Sequence, residues 1–148
     1  MMDNPLYYFV GKFVAYCVWC YVGLRLFRSS EKLAIPRALG YGTLRLVMGF
    51  LFGIAIFFVG SICVQLLGTG LPQSFVTYLA AYVPVRWIEW TIMSVLILPG
   101  RGYLSEWLIG AGQTDRLWRL GGIAISCLAD IPLITSLGGV IPTGRFLC

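Results

Sequence analysis

The stretch of sequence that decides the fold is LRLVMGFLFGIAIFFVGSICVQLLG, residues 44–68. A helix that crosses a lipid bilayer needs about 20 consecutive, mostly apolar residues. This run is long enough, and its single charged residue, Arg45, stands near its start. We therefore predict a membrane-spanning helix over residues 44–68.

Three further apolar runs accompany it, and together they predict an all-α fold. The chain is expected to be a polytopic membrane protein, a four-transmembrane-helix bundle that forms a single transmembrane domain. A short apolar segment before the last run is expected to lie along the membrane surface, as an interfacial helix in the third connection. The expected spans are residues 6–27, 44–68, 75–98 and 117–138, the interfacial segment is 103–109, and the domain is 1–148.

The start of the last span is open in the sequence. Gly121 and Gly122 weaken the helical pattern there, because glycine is a poor helix former. A start near Thr114 and a start near Leu120 both fit the apolar run, and we place the membrane portion from residue 117.

The composition excludes several classes of protein. Hydrophobic residues make up 59% of the chain and charged residues only 11%, against roughly 25% charged in an average soluble domain. An ordinary soluble enzyme, a disordered segment and a nucleic-acid binder are therefore excluded. The chain has no histidine, the commonest general base and transition-metal ligand. We expect no catalytic residue, no cofactor and no metal.

The basic residues predict the topology. Cytoplasmic loops of membrane proteins collect Lys and Arg. Both termini should then lie on the non-cytoplasmic side of a bacterial inner membrane or an organellar membrane. Lys12 lies about 9 Å into the first helix and is expected to snorkel outward. The first connection carries Arg25, Arg28, Lys32, Arg37 and Arg45 against Glu31, and the third carries Arg101, Arg116 and Arg119 against Glu106 and Asp115.

Three ionisable residues lie inside the apolar spans and predict an intramembrane charge cluster: Arg86, Glu89 and Asp130. Such residues usually face the protein interior and have a function. Arg86 and Glu89 are three residues apart, so they share a helix face and are expected to pair. Asp130 falls at a similar depth in the last span. One arginine cannot neutralise two acids, so one acid should hold a proton or find another cation, for which Arg45 is a candidate.

The charge cluster has two interpretations. It is either a buried staple that joins helices, or a protonatable site of the kind that proton-coupled transporters use. Pro84 and Pro132 each lie two residues from a charge and free a backbone carbonyl that an ion or polar group could use. Proline is also common in ordinary spanning helices, so both interpretations stay open.

A glycine stripe marks a helix-packing face on the second span. Small residues on one helix face allow two backbones to approach closely in a membrane. Gly11 and Ala15 of the first span are a candidate partner for this face, and another subunit is the alternative. The stripe consists of Gly42, Gly49, Gly53 and Gly60, at spacings of seven, four and seven residues.

These observations lead to two functional hypotheses. A four-helix bundle can bury one polar cluster, but it hardly encloses a substrate path unaided. The first hypothesis is a non-catalytic multi-pass subunit, or an assembly or stabilising component, of a larger membrane complex. Its partners would be the lipid bilayer and other membrane subunits or copies of itself. The alternative is a small homo-oligomeric transporter or channel, coupled to protons or cations through Glu89 and Asp130.

Overall fold

A computed structural model describes residues 5–28, 32, 34–67, 75–98 and 104–136, and gives side-chain surroundings for 6–28, 32, 34–56, 58, 82–98 and 106–132. Every regular element in these ranges is an α-helix, so the described part of the protein is all-α. The helices are α1 (Pro5–Phe27), α2 (Ala34–Leu67), α3 (Phe75–Ile97), α4 (Leu104–Ile109) and α5 (Gln113–Ser136).

The four long helices pack side by side, with α1 between α2 and α5 and with α3 against α2 and α5. Contacts between α3 and α5 show that these two helices run antiparallel. Ser94 near the end of α3 bonds to Asp115 near the start of α5, whereas Arg86 further back in α3 bonds to Asp130 further along α5. The chain therefore reverses direction between successive long helices.

Helix α2 begins at Ala34, and not at residue 44 as the apolar run predicted. Pro36 lies in its first turn, where the missing N–H of proline is tolerated. The apolar run identifies the part of a helix that suits lipid, and it cannot show that the more polar turns before that part are also helical. The same reason explains why α5 begins at Gln113 rather than at residue 117. Its predicted end at residue 138 lies outside the described residues.

Two tryptophans interlock α1 and α5. The Trp19 indole N–H donates to the Trp118 carbonyl at 3.0 Å, and the Trp118 indole N–H donates to the Trp19 carbonyl at 3.2 Å. Each ring lies over a glycine of the other helix, because a methyl group added at Gly23 would stand 2.7 Å from Trp118 and one at Gly121 would overlap Trp19. These glycines provide space for the indoles.

Gly122 has the same role toward α3, since its added methyl group would overlap the ring of the buried Trp90. Gly121 and Gly122 are thus interior positions of α5, and they do not mark its beginning as the sequence allowed. The rings of Trp90 and Trp118 meet edge to face at 5.2 Å. This aromatic core joins α1, α3 and α5.

We expect Gly122→Ala to lower the free energy of unfolding by about 1–3 kcal/mol, because the new methyl group must displace Trp90. Gly40→Ala is the matched control, since a methyl group at Gly40 meets nothing within 4 Å. That change should stabilise the protein by about 0.5–1 kcal/mol. Thermal unfolding of the purified variants in detergent measures both. Equal behaviour of the two variants would contradict the tight contact with Trp90.

Two of the helices are long and apolar enough to cross a membrane. Their spans are Leu6–Phe27 and Ala34–Ile56, with mean hydropathies of 1.3 and 1.6. This result concerns only the described residues, and it does not establish the predicted four-span bundle. Only 28% and 22% of these apolar segments is buried inside the protein. Most of their apolar side chains therefore face outward, as they would toward lipid.

Candidate functional site

Asp130 of α5 is the centre of a buried ion-pair network. Its Oδ1 accepts hydrogen bonds from Tyr8 Oη at 2.8 Å and from Lys12 Nζ at 2.9 Å. Its Oδ2 pairs with Nη2 of Arg86. Lys12 also donates to Tyr8 Oη at 2.8 Å. One carboxylate thus connects α5 to both α1 and α3.

Lys12 does not snorkel outward as we expected, because only 2% of its surface is exposed. Its ammonium lies 5.2 Å from the ring centre of Tyr8 and 6.0 Å from that of Tyr16, in addition to its contacts with Asp130. An ion pair and two aromatic faces compensate for the water that the ammonium loses. The sequence placed Lys12 in α1 but could not show that Asp130 lies beside it.

Glu89 of α3 pairs with Arg45 of α2, with Oε2 and Nη2 2.5 Å apart. The predicted pairing of Arg86 with Glu89 is therefore wrong as a hydrogen-bonded contact, although Arg86 stays within electrostatic range of Glu89. Arg86 instead donates to Asp130 and, at 2.7 Å, to the Cys127 sulfur. Pairing across helices satisfies charges on all of them, whereas a pair within α3 would leave Asp130 with Lys12 alone.

Arg45 lies between two aromatic rings. Its guanidinium carbon is 4.8 Å from the ring centre of Tyr16 and 5.2 Å from that of Trp90. Its Nε and Nη1 atoms have no hydrogen-bond partner among the described residues, and neither has Oε1 of Glu89. The electron-rich ring faces stabilise the positive charge that these unpaired N–H groups carry.

We define the charge cluster as Lys12, Arg45, Arg86, Glu89 and Asp130. The cluster brings together the three predicted site residues and adds two cations that the sequence assigned to helix ends. None of the five is more than 2% exposed, and they come from all four long helices. Three cations oppose two carboxylates, so the cluster carries one net positive charge. Acids are thus the scarcer partner in it.

A second buried polar group lies where α4 meets α5, and sequence reasoning missed it. Arg119 pairs with Asp115 at 2.9 Å and donates to Thr91 Oγ1 at 2.7 Å and to the Trp107 carbonyl at 2.8 Å. Ser94 donates to Asp115. We had counted Asp115 and Arg119 as loop charges. Their i,i+4 spacing in the first turns of α5 was the available signal.

The turn before α5 is shaped around the same Asp115. The Ala111 N–H donates to Asp115 Oδ2 at 3.0 Å. Gly110 has a φ of 98°, which favours glycine, and a methyl group there would stand 2.9 Å from the same oxygen. Asp115 therefore fixes α4 and its turn against α3, at the end of the bundle opposite to Asp130.

The glycine stripe of α2 meets α1 at one described position. Gly42 lies directly against Cys17 of α1, with no room for a methyl group. Gly49 and Gly53 are buried, and the surroundings of Gly60 lie outside the described residues. A methyl group at Gly11 would meet nothing within 4 Å, so the predicted role of Gly11 as the packing partner is wrong.

Within the described residues, no group of three or more Cys, Asp or Glu side chains is placed to hold a metal ion. The charge cluster also offers few metal ligands, because its two carboxylates are already paired with cations. No protein-family model, curated protein or solved structure matches this chain.

Proposed function

We propose that the chain is an integral membrane protein in which α1, α2, α3 and α5 each cross the bilayer. At about 1.5 Å per residue, the 23 residues of α3 and the 24 of α5 reach about 35 Å, enough for a hydrocarbon core of about 30 Å. The charges in these two helices lower their hydropathy. Their burial and pairing support a membrane location, because paired charges face away from lipid.

The basic residues support the proposed orientation. Arg25, Lys32, Arg37 and Arg116 are exposed, and the antiparallel packing brings them to the same end of the bundle. Such an end is expected on the cytoplasmic side, which places both termini on the opposite side of a bacterial inner or organellar membrane.

Within that membrane, we propose that the protein is a non-catalytic subunit, or an assembly or stabilising component, of a larger complex. The observation that carries this proposal is the closed charge cluster, in which every charged side chain pairs with one from a neighbouring helix. Such a cluster holds the helices together, and it presents no open polar path among the described residues. The contribution of the protein would then come from the surface that it offers to other subunits.

Purification of the tagged chain after gentle extraction, at its native expression level, tests this proposal. We expect at least one other membrane protein to co-purify in a fixed ratio, and to stay bound through size-exclusion chromatography. An unrelated tagged four-span protein, extracted in the same way, is the control for non-specific association. A homogeneous assembly of this chain alone would refute the subunit proposal.

A second candidate function is supported by Glu89. Its Oε1 is buried without a hydrogen-bond partner among the described residues, and a free carboxylate oxygen in a membrane could receive a proton or a cation. A homo-oligomeric transporter would use Glu89 and Asp130 in this way. Reconstitution into liposomes with a pH or potassium gradient distinguishes the two candidates. The subunit proposal expects no flux above that of protein-free liposomes.

A further inference from the structure

A cleft of about 340 Å³ lies between α1 and α5, near the end where α1 begins. It is open on one side, and its walls are almost entirely apolar. Lys12 is the charged residue among those that line it, with Tyr8 beside it. The other walls include Gly11 and Ala15 from α1 and Leu128 and Pro132 from α5.

The ammonium of Lys12 has a hydrogen-bond donor to spare. An ammonium carries three N–H donors. Two of them are used by Tyr8 Oη at 2.8 Å and by Asp130 Oδ1 at 2.9 Å. No third acceptor contacts Lys12 among the described residues. The spare donor belongs to the one charged residue that the cleft reaches.

The charge balance indicates what kind of acceptor fits. The charge cluster holds three cations and two carboxylates, all buried, so one positive charge lacks a partner of opposite sign. A buried charge without such a partner is costly. An anionic acceptor next to Lys12 would supply the missing negative charge, whereas a neutral acceptor would fill only the hydrogen bond.

We propose that the cleft binds the end of a long-chain fatty acid whose carboxylate accepts a hydrogen bond from Lys12. The acyl chain would lie along the apolar walls between α1 and α5, and the carboxylate would make the charge cluster neutral. The volume lies at the low end of the roughly 300–1,000 Å³ of small-molecule sites, so it suits one acyl chain and not a two-chain lipid. The inference is independent of the proposed subunit function.

Photolabelling of the full chain in lipid nanodiscs, with a palmitate that carries a diazirine near the carboxyl end, tests the site. Mass spectrometry of the digested protein should place the label on peptides of α1 and α5. Palmitate should compete for labelling at least 10-fold better than methyl palmitate, which has the same chain and no charge. Equal competition by the ester, or labelling spread evenly over all helices, would overturn the proposal.

A pair of glycine variants completes the test without changing any charge. Gly11→Leu places a side chain into the cleft, whereas Gly40→Leu adds the same side chain at an equally open position on α2. We expect labelling to fall at least 10-fold in Gly11→Leu and to stay within 2-fold of the unchanged protein in Gly40→Leu. Unchanged labelling of Gly11→Leu, or the same loss in both variants, would overturn the proposal.

Discussion

Asp130→Asn is expected to cause the largest loss of stability of any single change in the charge cluster, about 3–5 kcal/mol. Asparagine keeps the shape of the side chain, so the loss would come from the charge and not from a cavity. Lys12 and Arg86 would both lose their carboxylate, and three buried cations would share Glu89 alone. Thermal unfolding in detergent, followed by size-exclusion chromatography of the soluble fraction, measures the effect.

Lys12→Met is the matched control for this change. It removes one partner of Asp130 and leaves Arg86 in place. It also removes the surplus positive charge of the cluster, so we expect a loss of less than half that of Asp130→Asn. The double variant Lys12→Met/Asp130→Asn should regain part of the stability that Asp130→Asn loses. A larger loss from Lys12→Met than from Asp130→Asn would show that Asp130 is not the centre of the network.

The apolar runs predicted where the long helices lie, because the length of a run that suits lipid is a local property of the sequence. Helix ends were harder to predict. The turns of α2 before residue 44 are helical but less apolar, and hydropathy does not separate a polar helical turn from a loop. The short helix Leu104–Ile109 lies within the segment that was predicted to follow the membrane surface.

The candidate site was predicted only in part, because pairing depends on which helices are neighbours. Sequence reasoning identified Arg86, Glu89 and Asp130 from their position within apolar runs. It placed Lys12 and Arg45 at helix ends, since each lies within a few residues of one end of its predicted span. Antiparallel packing brings these two cations level with the acids, and single-helix spacing contains no information on that alignment.

The aromatic core shows the same limit in another form. Gly121 and Gly122 weaken a helix when they are considered alone, and the sequence suggested a boundary there. In the folded protein each glycine lies beneath an indole ring from another helix, Trp19 and Trp90 respectively. A glycine that weakens its own helix can therefore strengthen the packing between helices, and only the partner ring reveals which effect prevails.

Glu89→Gln is expected to be the second most costly change, at about 3 kcal/mol, because it too removes one of the two scarce acids. Arg45 would keep the ring faces of Tyr16 and Trp90, which limits the loss. Arg45→Met should cost less, since Lys12 and Arg86 stay within electrostatic range of Glu89. Thermal unfolding of the two single variants checks this order. A more costly Arg45→Met would contradict the scarcity of acids.

The double variant Arg45→Met/Glu89→Gln distinguishes the two functional candidates. Replacing both members of a buried ion pair is often close to neutral for stability, so we expect this variant to fold better than Glu89→Gln alone. If the pair only joins α2 to α3, the double variant should keep its co-purifying partners. If Glu89 carries protons or cations, the double variant should fold and assemble, yet lose flux in liposomes. Stability that is separated from function in this way identifies the role of the pair, which a destabilised single variant cannot do.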